Sequence, residues 1–79
     1  MITNELATKI GEILEVDSEE IKNSSSLNEF ENFDSFALIH ISVMIESDFH
    51  ISIEPEDFET MNSLEAIVAL IEERKNKEN

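Results

Sequence analysis

In three separate blocks of this chain, apolar residues recur every three or four positions, the spacing that lines one side of an α-helix. Leu6, Ile10, Ile13 and Leu14 form the first set, Leu38, Ile41, Ile45 and Phe49 the second, and Leu64, Ile67, Val68 and Ile71 the third. A competing sheet has little to work with. Ile51-Ser52-Ile53 alternates as a strand does, but it is too short and isolated, and it reads as an extended connector that turns two isoleucines to the core. The expected fold is all-α, a four-helix bundle with three longer helices and one short third helix. With 79 residues, the chain makes one domain, residues 1–79. A domain of that size buries only about 60–65% of the surface its unfolded chain exposes. There is no cysteine to add a disulfide or a thiolate metal site, which fits a reducing cytoplasm.

Capping residues set the expected boundaries. The first helix should run over residues 3–15, with Thr3 as its N-cap. Asp17 and Glu20 stand at capping-box spacing over a short turn, with Ile21 reaching back to the core. A long loop over residues 23–34 follows, because the Asn-Ser-Ser-Ser run bonds its own backbone more readily than it extends a helix. Leu27, Phe30 and Phe33 are its expected anchors. Asp34 should cap a second long helix over residues 35–49, its charge suiting the positive end of the dipole. Pro55 opens the short third helix, and Asn62 or Ser63 caps the last one. Arg74, Lys75 and Lys77 near its end favour the negative pole. Met44 and Met61 read as packing residues.

Nineteen acids stand against five bases, a net charge of −14. Nucleic acid and anionic membrane surfaces are repelled by such a chain. A partner with a basic patch is attracted, and salt weakens that attraction. No basic and apolar leader follows Met1, and the longest apolar run, Ala66 to Ile71, spans no bilayer. The acid clusters lack the alternating ligands and central glycine of a calcium loop, so no metal site is expected.

The second long helix carries more apolar surface than its core side needs. Phe36, Ile39 and Val43 make a second stripe displaced from the first. One reading buries this helix nearly all round. The other leaves an exposed apolar strip bordered by Glu29, Glu31, Asp34, Glu46 and Asp48, as a docking surface is built. The stripe begins beside Ser35. Asp34, Ser35 and His40 do not form a catalytic triad, because His40 lies about 140° round the helix from Ser35 and the adjacent Asp34 cannot orient it.

Asp34-Ser35-Phe36 at a loop-to-helix junction resembles the Asp-Ser-Leu signature of acyl carrier proteins. The order of helix, long loop, Asp-Ser-Phe helix, Ile-x-Ile-x-Pro-Glu-Asp-Phe turn and last helix resembles that family from about Ile2 to Arg74. The resemblance implies a carrier, not an enzyme. Its Ser35 would bear a covalent 4′-phosphopantetheine arm holding fatty, polyketide or aminoacyl groups as thioesters. It also implies a cytoplasmic monomer served by a phosphopantetheinyl transferase and by acyl-loading and acyl-processing enzymes with basic docking patches, which would meet Asp34, Phe36, Ile39, Val43 and Glu46. Three departures stand out. The glycine usual before the motif is replaced by Glu31-Asn32-Phe33, and Asn32 is expected to take the left-handed conformation in its place. Phe36 stands where leucine is usual. Ala37 and His40 replace acids found early in the helix of fatty-acid carriers, which points to a specialised pathway. The alternative is an unmodified acidic helical adaptor for a basic partner.

Overall fold

The computed structural model describes residues 2–78, with side chains described through residue 75. It contains α1 (Ile2–Leu14), α2 (Ser18–Asn23), α3 (Ser35–Phe49) and α4 (Leu64–Glu78), with 3-10 turns at Leu27–Glu29 and Pro55–Glu59. There is no strand among the described residues, and no described helix is long and apolar enough to cross a membrane. The all-α architecture with three long helices is as the periodicity requires. Its short elements differ in detail from expectation. The segment after Asp17 closes into a six-residue α-helix, while the Pro55 segment winds as a 3-10 turn.

Helix α1 is the element against which α2, α3 and α4 each pack. Its Leu6, Ile10 and Leu14 are fully buried. Ile21 of α2, Ile41 and Ile45 of α3, and Ile67 and Ile71 of α4 close on them and are fully buried too. Leu27 and Met61 enter the same core from the two loops. Burying each such side chain contributes roughly 1.5–3 kcal/mol, which is how a loop of polar residues is held against the bundle. Phe30 and Phe33 assist from half-buried positions. Ile51 of the extended connector is buried and Ile53 half-buried. Met44 packs at the edge of the core.

The ends of α1 depart from the sequence expectation. Thr3 is a first-turn residue and not the N-cap, because α1 already includes Ile2. Ile2 lies one turn before Leu6 and packs against the core, which extends the helix. At the other end the chain reverses at Glu15, whose φ is 63°. The Val16 N–H then donates to the Gly11 carbonyl at 2.9 Å, a Schellman closure. Val16 returns so closely that a Cβ on residue 11 would lie 2.6 Å from its carbonyl oxygen. That close approach explains the chain's one glycine. Asp17 then caps α2, with its N–H donating to the Glu20 carboxylate at 3.4 Å.

Cations tie the far side together. Lys9 of α1 pairs with Asp48 of α3. Arg74 of α4 donates to the Ser52 carbonyl and to Asp57, both at 2.7 Å. Burial works against the charge on Asp57, but the Arg74 guanidinium and the Glu54 N–H outweigh it and hold its carboxyl below the usual range. Lys75 donates to the Phe49 carbonyl at 3.2 Å, where the α3 dipole favours positive charge. The side chain of Lys77 lies outside the described ones. Ser63, of the two cap candidates, caps α4, since its hydroxyl accepts from the Ala66 N–H at 3.1 Å.

Two substitutions at the α1 reversal should move stability in opposite directions. Gly11→Ala gains about 1 kcal/mol of helix propensity, yet it forces the Val16 carbonyl away and should cost a net of about 1–2 kcal/mol. Glu15→Gly relieves a left-handed side-chain conformation and should stabilise by about 0.5–1 kcal/mol. Urea midpoints measured beside the wild type check both, and a higher midpoint for Gly11→Ala would contradict the close-packing account.

Candidate functional site

Helix α3 starts where Asp34 stops the loop. The Asp34 carboxylate accepts from the Ala37 N–H at 2.9 Å, and its carbonyl accepts from the Leu38 N–H at 2.9 Å. Asp34 is therefore the N-cap expected from the sequence, a role that contributes about 1 kcal/mol. Ser35 is the first helical residue and is exposed. Its hydroxyl makes no hydrogen bond among the described residues, so its oxygen is accessible and uncommitted. The first-turn N–H groups beside it lie at the positive end of a 15-residue helix, which favours an attached anion.

The two apolar stripes of α3 separate as the wheel requires. Ile41 and Ile45 are fully buried, Phe49 is buried and Leu38 half-buried. On the other side Phe36 is 84% exposed, Ile39 49% and Val43 58%. The reading in which α3 is buried all round is thereby corrected, because α1 and the rest of the core cover only one side of it. Glu46 is exposed, but its carboxylate accepts from the Ile53 N–H at 2.8 Å, so it closes the turn after α3. His40 is exposed on the same outer side.

A groove of about 460 Å³ opens beside Ser35. Phe33, Leu38, Ile39, Phe58 and Met61 give it apolar walls, and Asn28, Glu59 and Asn62 give it polar ones. Sequence reasoning missed Asn28 as a site residue and read Asn62 only as a candidate helix cap. They meet because the Leu27 N–H donates to the Asn62 carbonyl at 2.8 Å across the two loops. The loop before Ser35 is fixed at two further points. The Glu29 carboxylate accepts from the Ser25 hydroxyl at 2.8 Å and from the Ser25 and Ser26 N–H groups at 3.0 and 3.1 Å. The Asn32 side-chain amide donates to the Leu14 carbonyl at 2.9 Å. Asn32 does not take the left-handed conformation; among the described residues only Glu15 and His50 have positive φ. Its side chain satisfies the end of α1, and the backbone has no need of a glycine-like bend.

The arrangement is a reachable hydroxyl on a fixed loop-to-helix corner beside a half-apolar groove. Residues 4–71 match the family described as the phosphopantetheine attachment site. The chain is also 32% identical over 80 residues to the acyl carrier protein of Petrotoga mobilis (strain DSM 10674 / SJ95), covering 96% of this chain and 94% of that one. The chain belongs to the acyl carrier protein family. It is a carrier of acyl groups, and its prosthetic group is a covalently attached 4′-phosphopantetheine. The family carries intermediates and leaves catalysis to acyl-processing enzymes. The residues of this carrier fit that group. A phosphodiester suits the positive end of α3, where Asp34 takes only the Ala37 N–H, and an arm with both amide and methylene parts matches a groove whose walls are both polar and apolar.

The Ser25 hydroxyl, with the Ser25 and Ser26 N–H groups, holds the Glu29 carboxyl below the usual range. A depressed carboxyl contributes stability that is present above its unfolded value of about 4.3 and is lost as pH falls through the lower folded value. The urea-midpoint gap between wild type and Glu29→Ala should therefore be full at pH 6–7. It should shrink once the pH drops well below 4; a gap unchanged down to pH 2.5 would contradict this role.

Proposed function

We propose that Ser35 is the attachment point of the arm, and that residues 1–79 act as one carrier domain that is not itself an enzyme. The observation that carries this reading is the exposed, uncommitted Ser35 hydroxyl at the start of α3, opening on the groove. In attachment by a phosphopantetheinyl transferase, a bond forms between the Ser35 oxygen and the phosphorus of coenzyme A that is esterified to pantetheine. The pyrophosphate bond breaks, adenosine 3′,5′-bisphosphate leaves, and the serine proton passes to a base on the transferase. When bound, the group supplies a terminal thiol that holds acyl cargo as a thioester.

This chain's own residues do the rest. Asp34 fixes the first turn of α3 and so the direction of Ser35. Leu38, Ile39, Phe58 and Met61 offer apolar surface to the arm or the first carbons of its cargo, while Asn28 and Asn62 offer amides. Phe36, Ile39 and Val43 form the outer face that visiting enzymes contact. The absence of acids at Ala37 and His40 supports service in a specialised pathway, whether the cargo is a fatty, polyketide or aminoacyl group. The net charge of −14 supports a monomer whose copies repel one another, and the lack of cysteine fits a cytoplasmic setting.

Intact mass tests the assignment. Incubated with coenzyme A, magnesium and a promiscuous phosphopantetheinyl transferase, the wild type should gain the mass of one phosphopantetheine and Ser35→Ala should gain none. A gain that survives Ser35→Ala would place the arm elsewhere. No gain in the wild type would favour an unmodified acidic adaptor.

A further inference from the structure

We propose that this carrier keeps only short cargo beside itself, and that Phe58 sets the limit by closing the way from the groove into the core. The reading of Ser35 as the attachment point underlies this, and the cargo of that site narrows to acyl or aminoacyl groups about the size of butyryl. Three observations carry it. First, the groove is shallow. Leu38, Phe58 and Met61 line it, whereas the fully buried Ile41, Ile45 and Ile67 do not. Leu38 and Phe58 are half-buried and packed against the core, and Met61 is fully buried. These three side chains therefore stand between the groove and the aliphatic interior. Second, the arm itself claims the space. About 460 Å³ lies toward the small end of the roughly 300–1,000 Å³ that drug-sized ligands occupy, and the arm is a ligand of that size. Asn28, Glu59 and Asn62 can pair with its amides, a pairing that an alkyl chain in their place would forfeit.

Third, the wall that carries Phe58 is pinned at both ends. On one side Asp57 accepts from Arg74 at 2.7 Å and from the Glu54 N–H at 2.8 Å, while Arg74 also holds the Ser52 carbonyl. On the other side the Asn62 carbonyl accepts from the Leu27 N–H at 2.8 Å and from the Ser26 hydroxyl at 3.3 Å. Between the pins, the Thr60 N–H donates to the Asp57 carbonyl and the Met61 N–H to that of Phe58. Burying methylenes is favourable, so a long alkyl chain would enter the core if a route stood open. Here entry has to swing the wall outward against both pins, or force extra carbons into a close-packed interior. Phe58 is the bulkiest side chain at that boundary and the one whose removal leaves the pins in place.

The test loads Ser35 from butyryl- or octanoyl-coenzyme A with a promiscuous phosphopantetheinyl transferase, the octanoyl chain carrying an isotopically labelled terminal methyl. Intact mass verifies loading, and helical circular dichroism verifies folding. Nuclear Overhauser contacts from the labelled methyl to Ile45 and Ile67 report whether the chain end is in the core. Urea midpoints report whether it stabilises the folded state, since a chain buried only there raises the midpoint. In the wild type the contacts should be absent, and the octanoyl and butyryl midpoints should agree within about 0.2 M. In Phe58→Ala the contacts should appear, and the octanoyl form should unfold at least about 0.5 M later than the butyryl form. Core contacts in the wild type overturn the length limit. A folded Phe58→Ala without them overturns Phe58 as the residue that sets it. If Phe58→Ala does not fold, Arg74→Met, which releases one pin of the same wall, is held to the same criterion. Failure of the wild type to accept either acyl group is a different outcome, and it overturns the Ser35 assignment itself.

Discussion

The apolar stripe of α1 is the contact on which the rest of this structure depends. Leu6, Ile10 and Leu14 are fully buried, and α2, α3 and α4 all pack against this one helix. A chain of 79 residues with nineteen acids can afford few buried positions, and it fills them with aliphatic side chains. Ser42 is the one buried polar residue among those described, and its hydroxyl donates to the Leu38 carbonyl at 2.9 Å. Charge is thus kept outside while the core does its work by area. The same geometry decides what α3 can display. Because its inner side is occupied by Ile41 and Ile45, Phe36, Ile39 and Val43 face outward.

The cations show the same division of labour. Every cation with a described side chain has an internal partner: Lys9 with Asp48, Lys22 with Glu19, Arg74 with Asp57, and Lys75 with the Phe49 carbonyl. Most of these groups are partly exposed, where an isolated pair contributes at most about 1 kcal/mol. Their larger effect is positional. Apart from Lys22–Glu19, which lies within α2, they cross from α1 to α3 and from α4 to the end of α3 and the segment after it, bracing elements whose summed negative charge pushes them apart.

Much of this was legible because it is written in short-range chemistry. The bounds of α3 follow from the cap at Asp34 and the end of the apolar repeat at Phe49, and the wheel separates Ile41 from Val43 without knowledge of any neighbour. What escaped depends on contacts distant in sequence. Asn32 looked like a stand-in for glycine, but the Leu14 carbonyl, 18 residues away, takes its amide. Asn28 and Asn62 reach one groove only because the Leu27 N–H finds the Asn62 carbonyl. The left-handed residues Glu15 and His50 are set by the need to turn sharply after a buried helix end, and neither residue type announces it. Even Gly11 owes its place to a returning chain and not to its own torsions.

The stitching of the loop ahead of Ser35 has a mechanical consequence. Asn32 ties that loop to the end of α1 and Leu27 ties it to the segment before α4, so the corner bearing Ser35, the proposed attachment point, is held on both sides and would serve as a fixed pivot. A tether hung from a stationary pivot sweeps its free end over a sphere with a defined centre. A visiting protein that locates the centre knows the whole reach of the tether without inspecting what hangs at its tip. One address on the carrier can then serve a succession of different loads.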